Sequence, residues 1–298
     1  MKFIFLLKNI KPYGLNGLSI FDVFCSFSTA ITHGSITTRA SSLAFNFFLA
    51  FFPSVIVLFS LIPYIPIEGL QENLLDMIET ILPPSTNTTA FTALEDIINN
   101  PRANLLSIGF ILTIYFSTNG INALIEALNA SCHIKENRTI IKQRFLSVLL
   151  TLILGFVLII TISLIIFGKG LVNYLYNYEI ISAYYAKIIL VSKWGVMSFM
   201  LFFGITIIFN IGPAIKEKFK LFSLGSIFST IFIIATCIAF NYYINHFSQY
   251  NKIYGSIGTL IIILTWIYLN CIILLTGFEL NTSILNAKKK NVISKQEL

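Results

Sequence analysis

The 298-residue sequence is 56% hydrophobic and 11% charged, with a mean hydropathy of +0.83. A water-soluble domain carries roughly 25% charged residues, so this composition excludes an ordinary globule and fits helices packed in lipid. The net charge of +7 comes from Lys and Arg gathered at the ends of apolar segments, which points to orientation in a membrane rather than to binding of nucleic acid.

In chain order, the opening MKFIFLLKNIKPYG has an apolar run (Phe3 to Leu7) too short for a signal peptide, and no small-residue cleavage site follows it. It is expected to stay on the chain and lie along the membrane surface, as is the amphipathic stretch Leu18 to His33. Crossing a bilayer takes about 20 apolar residues in helix. Six stretches reach that length: 40–62, 103–119 with a polar helical extension, 145–167, 188–211, 221–243 and 257–280. Pro53 and Pro63 imply a kink or an early end in the first span. Lys193 lies near one end of the fourth, where its stem can reach the interface.

The segments between the spans alternate in charge. Lys2, Lys8, Lys11 and Arg39 precede the first, and Lys135, Arg138, Lys142 and Arg144 lie between the second and third. Lys216, Lys218 and Lys220 lie between the fourth and fifth, and Lys288, Lys289, Lys290 and Lys295 follow the sixth. The alternate connections hold only Arg102, Lys169, Lys187 and Lys252. The positive-inside rule then predicts cytoplasmic termini, which an even number of spans requires. The expected fold is all-α, a single integral domain over 1–298 in the inner membrane. The first outer loop, Pro63 to Arg102, is acidic and carries amphipathic stretches at Leu70–Leu82 and Phe91–Ile98. It reads either as a helical cap on the outer face or as an acidic surface that recruits a partner.

Signatures of catalysis are missing: there is no G-x-S-x-G, Walker A, H-E-x-x-H or Asp-rich box. His33, His133 and His246 are far apart and fall on opposite sides of the predicted topology. Cys25, Cys132, Cys237 and Cys271 form no CxxC. No metal, no cofactor and no enzyme activity are expected.

Intramembrane polar residues point elsewhere, because burying them in lipid is costly without a partner. Glu126 and Glu279 reach the same inner level as Arg39, and Arg138 and Arg144 precede the third span. Glu126, Glu279, Arg39 and one of these two arginines form a candidate cluster that either holds helix ends together or lines a charged entrance. Asn46, Ser117, Asn119 and Asn270 lie deeper, where interhelical hydrogen bonds contribute about 0.6–2 kcal/mol. They read either as packing contacts or as the lining of a substrate path. Tyr254, Gly255 and Ser256 shape the turn before the sixth span, either as a tight turn or as an outer mouth with free backbone N–H groups.

Three blocks in order resemble the YihY/BrkB membrane proteins. They are RASSLAFNFFLAFFPSVIVLFSLIP (Arg39–Pro63), INALIEALNASCHIKENRTIIKQRFLSVLLT (Ile121–Thr151) and YYINHFSQYNKIYGSIGTLIIILTWIYLNCIILLTGFELN (Tyr242–Asn281). The last contains a Y-G-S-[LI]-G…W-x-Y…G-x-E-x-N pattern; Asn210–Pro213 departs from the Val-Pro common in the family. The resemblance implies six-helix bacterial inner-membrane proteins of unsettled activity. Some carry a ribonuclease BN label, others are described as virulence or serum-resistance factors, and some are linked to lipid or lipopolysaccharide-precursor export. A transporter or flippase for a lipid-like or anionic solute, working among membrane lipids, is the resulting expectation. A scaffold acting through the acidic outer segment is the alternative, and a nuclease has no support in the motifs.

Overall fold

The computed structural model of the protein describes residues 35–64, 95–100, 102–131, 138–178, 182–215, 222–246 and 256–296. These hold helices and turns and no strand. The six long helices are α1 (Ile36–Leu61), α2 (Ala103–Ser131), α3 (Ile140–Asn177), α4 (Ala183–Ile211), α5 (Leu224–His246) and α6 (Ser256–Gln296). All six are long and apolar enough to cross a membrane. The amphipathic stretch at Leu70–Leu82, the first half of Phe91–Ile98 and the turn at Tyr254 and Gly255 lie outside the described residues. So does the chain before residue 35.

Several boundaries move from the sequence expectation. α1 runs through Pro53 and ends at Leu61, where a 3₁₀ turn over Ile62–Tyr64 takes up Pro63. Only one N–H is lost at Pro53, and Ile62, before Pro63, keeps right-handed helical angles while its N–H turns to the Phe59 carbonyl, three residues back. α5 starts at Leu224 rather than 221, because Ser223 accepts the Ser226 N–H on its Oγ at 3.2 Å and so caps the first turn. α6 continues sixteen residues beyond Leu280. Its 41 residues rise about 60 Å, twice the hydrocarbon thickness.

Helix ends meet in one layer. The contacts across the bundle join the starts of α1, α3 and α5 to the late parts of α2, α4 and α6. The hydrophobic core lies beside that layer and includes Leu43, Leu124, Leu128, Phe209, Leu275 and Phe278. Phe209 of α4 meets Phe278 of α6 edge to face, with ring centroids 5.2 Å apart. Beyond it, three helices pass through a stretch with no buried side chain, although Val172 farther along α3 is buried again. No residue is buried over 151–164 of α3, 191–203 of α4 or 231–243 of α5. The α1–α2 pair stays packed along its length, with Ala50, Val57 and Ser60 of α1 and Gly109 of α2 buried.

Only 11% of the most apolar window of α3 is buried inside the protein, and 33% of that of α2. In water such helices would collapse onto one another to hide their apolar surface. In lipid no such force acts, so bare Leu, Ile and Phe on the outside are what a membrane bundle presents.

Candidate functional site

The end layer is built from polar side chains that close each helix terminus. A terminus leaves four backbone groups without intrahelical partners, and in a bilayer these need partners from the protein. Arg39 on α1 donates from Nη1 to the Ala127 carbonyl at 2.8 Å and to Ser131 Oγ at 2.6 Å, which ties α1 to the last turn of α2. Arg138, just before α3, donates from Nη1 to the Gly212 carbonyl at 2.9 Å and from Nη2 to the Pro213 carbonyl at 3.1 Å. The planar fork of Arg suits two adjacent carbonyls at the negative end of α4. Asn129 accepts the Ala214 N–H at 2.8 Å, so α2 also holds the chain leaving α4.

Glu126 is exposed and sits on a different face. Its Oε1 accepts from Asn122 Nδ2 at 2.8 Å and from Gln143 Nε2 at 3.4 Å, and Gln143 also donates to Asn122 Oδ1 at 2.9 Å. These bonds join α2 to α3. The bonds of Glu126 to Gln143 thus lie at the α2–α3 seam, and those of Arg39 to Ala127 and Ser131 at the α1–α2 seam. The physical reason is the helical period, which turns Glu126 about 100° from Ala127, whose carbonyl Arg39 binds.

Glu279 lies in α6 with 1% of its surface exposed. The next turn continues the polar layer through Asn281, Thr282 and Ser283, all buried. Asn281 accepts the Gly225 N–H on Oδ1 at 2.7 Å and donates from Nδ2 to Ser223 Oγ at 2.9 Å. One amide thus satisfies both an orphan donor and the capping side chain of α5. The two helices come close enough because Gly225 and Gly277 lack side chains. A Cβ on Gly225 would overlap the Gly277 carbonyl, and one on Gly277 would overlap Ser229 Oγ. Gly225-x-x-x-Ser229 against Gly277-x-x-x-Asn281 is a small-residue crossing. Nothing in the sequence expectation includes Gly225, Ser229 or this role of Asn281, although the four-residue spacing is a signal for it. Asn122, Asn129 and Gln143 are likewise absent from it, since polar residues at helix ends look like ordinary interface residues.

The deeper candidates behave differently. Asn46 donates to the Ser42 carbonyl at 2.9 Å and Asn270 to the Trp266 carbonyl at 2.7 Å, each one turn back in its own helix. They do not use those donors to join helices. Ser117 and Asn119 are half-buried on α2. Asn270 lines a cavity of about 380 Å³ between α1, α5 and α6, with Phe47, Ser54, Trp266 and Cys271, and its Oδ1 is buried without a hydrogen-bond partner. A second cavity of about 640 Å³ lies among α3, α4 and α5 and runs from their unburied stretch to Ile205 of the core. Ser256 opens α6, and its side chain is outside the described part. Among the described residues, no group of three or more His, Cys, Asp and Glu comes together to hold a metal ion.

Known proteins align with this chain over nearly its whole length. It is 29% identical over 253 residues to the "Putative ribonuclease-like protein YfkH" of Bacillus subtilis, covering 85% of this chain and 91% of that one. It is 25% identical over 280 residues to a UPF0761 membrane protein of Aggregatibacter aphrophilus, covering 92% and 96%. A UPF0761 membrane protein of Haemophilus influenzae shares 27% over 263 residues, covering 87% and 93%. No solved structure matches closely enough to compare. The family model described as "Virulence factor BrkB" matches residues 27–297, which takes in all six helices and the polar layer that closes them. On that match, the chain belongs to the BrkB virulence-factor family of membrane proteins.

Proposed function

We propose that this protein moves a lipid-like or anionic solute across the membrane, and that the layer of joined helix ends is the closed gate of its path. One observation carries the reading: three neighbouring helices lose their buried core along one stretch of the bundle. α3, α4 and α5 bury nothing over 151–164, 191–203 and 231–243, while the same helices are tied by polar contacts at their other ends. A bundle serving only as an anchor has no need of such an unpacked stretch. A transporter at rest has a shut end and an accessible half. The charges favour cytoplasmic termini, and on that topology the shut end faces the cytoplasm.

Glu279 and Arg39 are the ionisable residues assigned to the gate. An ionisable side chain 1% exposed in a membrane helix is costly to keep and marks a pathway more often than it marks packing. Asn270, with a buried acceptor on a cavity wall, belongs to the path between the gate and the open half. Arg138 and the Glu126–Gln143 seam hold the surrounding helix ends in register.

The test is flux of a fluorescent anionic phospholipid in proteoliposomes. Glu279→Gln and Arg39→Ala proteins that reconstitute at the wild-type level are expected to lose at least about tenfold in rate, equivalent to about 1.4 kcal/mol on the rate-limiting barrier. Wild-type flux in both variants would sink the gate.

A further inference from the structure

The 640 Å³ cavity is an open groove rather than an enclosed pocket. α4 forms its floor from Trp194 to Ile208, and α3 and α5 form its walls. At the rise of a helix, that floor is about 21 Å long. This exceeds half of the ~30 Å hydrocarbon thickness, so the groove spans a full leaflet. Its rim is exposed: Leu158 at 54%, Trp194 at 63% and Ile238 at 67%. The hydroxyls along it are already satisfied. Thr161 donates to the Val157 carbonyl at 2.7 Å and Ser198 to the Trp194 carbonyl at 2.8 Å. The walls are therefore mainly apolar, with Asn241 of α5 as their one amide. At the end near the start of α4, the Lys193 ammonium sits 5.7 Å from the centroid of the Trp194 ring. Trp and Lys at that position mark headgroup depth.

We infer that this groove binds one acyl chain of an anionic phospholipid, with Lys193 holding the headgroup phosphate above Trp194. The volume lies within the range of sites for small ligands, and the shape is a long slot along the direction in which acyl chains run. Lys193 at the headgroup end supplies the charge match, and among the described residues no carboxylate lines the groove. This inference names the solute class for the proposed transport, and rests on that reading only for the movement of lipid after it has bound. A chain that holds lipid here and moves none keeps the site and loses the transport.

The chain has two tryptophans, Trp194 at this groove and Trp266 at the other cavity. A Trp266→Phe protein reports from Trp194 alone. Reconstituted in phosphatidylcholine, its fluorescence is expected to fall more steeply with acyl-brominated phosphatidylglycerol than with brominated phosphatidylcholine. The expected preference is about fivefold in relative binding constant, the effect of one cation on an anionic headgroup. Lys193→Gln should remove the preference and leave quenching by both lipids. Gly204→Leu fills the floor, since a Cβ there meets Leu154 at an ordinary 3.7 Å, and should cut the quenching itself. Equal quenching by both lipids would mean surrounding bulk lipid and overturn the site. So would no quenching at all, the result expected if a second protein helix covers the groove. If Trp266→Phe does not fold, a fluorophore on exposed Cys237 in the same wall, with Cys25 and Cys132 changed to Ser, reads the same two outcomes.

Discussion

Gly277 has no room for a side chain: a Cβ would fall on Ser229 Oγ, with the Gly225 carbonyl just behind it. Backbone has to move to admit one, and overpacking of this kind costs about 1–3 kcal/mol or more. Gly277→Val is therefore expected to lower the melting temperature of the purified protein steeply. Asn281→Ala acts through a different cause, leaving the Gly225 N–H buried without its acceptor, while Ser223 Oγ loses one donor and keeps Ser226. Its cost should be about 1–3 kcal/mol. If thermal unfolding in detergent is unchanged in both variants, α5 and α6 do not cross as described. The charged residues of this layer are more legible in the sequence than its amide and glycines. Charge in an apolar run stands out one residue at a time, while a glycine crossing exists only as a match between two helices far apart in the chain, here at Gly225 and Gly277.

At the scale of elements, the helices are held by their ends more than by their faces. α4 ends at Ile211 with the carbonyls of Gly212 and Pro213 turned onto the Arg138 fork. Arg138→Lys keeps the charge near the helix dipole but loses the two-pronged geometry; Arg138→Ala loses both. The expected order of stability is wild type, then Lys, then Ala, with Ala about 1–3 kcal/mol below wild type, read by thermal unfolding. Equal stability of all three would mean that the α4 terminus is held by something else. Six spans are legible because the length of an apolar run is a local property of the chain. The extension of α6 to Gln296 is not, since its last turns are polar and only the continuing backbone bonds show that they remain helical. Face assignments fall between these cases. Asn122 and Glu126 share a face by their four-residue spacing, a sign that Glu126 belongs with α3 rather than with Arg39.

Across the whole molecule, a core that is interrupted along α3, α4 and α5 has a mechanical consequence. If solute passes between the helices, the shut end has to part, and α4 and α6 meet there through Phe209 and Phe278. Packed interfaces of this sort switch between discrete arrangements rather than stretch. Movement of one helix against the other is then a step of the cycle and not a by-product. The groove between α3 and α5 would persist through that step, because its floor is a single helix. The most direct measurement is a reversible lock across this contact. Phe209→Cys and Phe278→Cys are introduced together, with the native cysteines changed to Ser, and joined by a short disulfide-forming cross-linker. Phospholipid flux in proteoliposomes is then followed before linking, after linking and after reduction. A gate at this contact predicts flux in the unlinked protein, its loss on linking and its return with reductant; undiminished flux through the linked protein would contradict it.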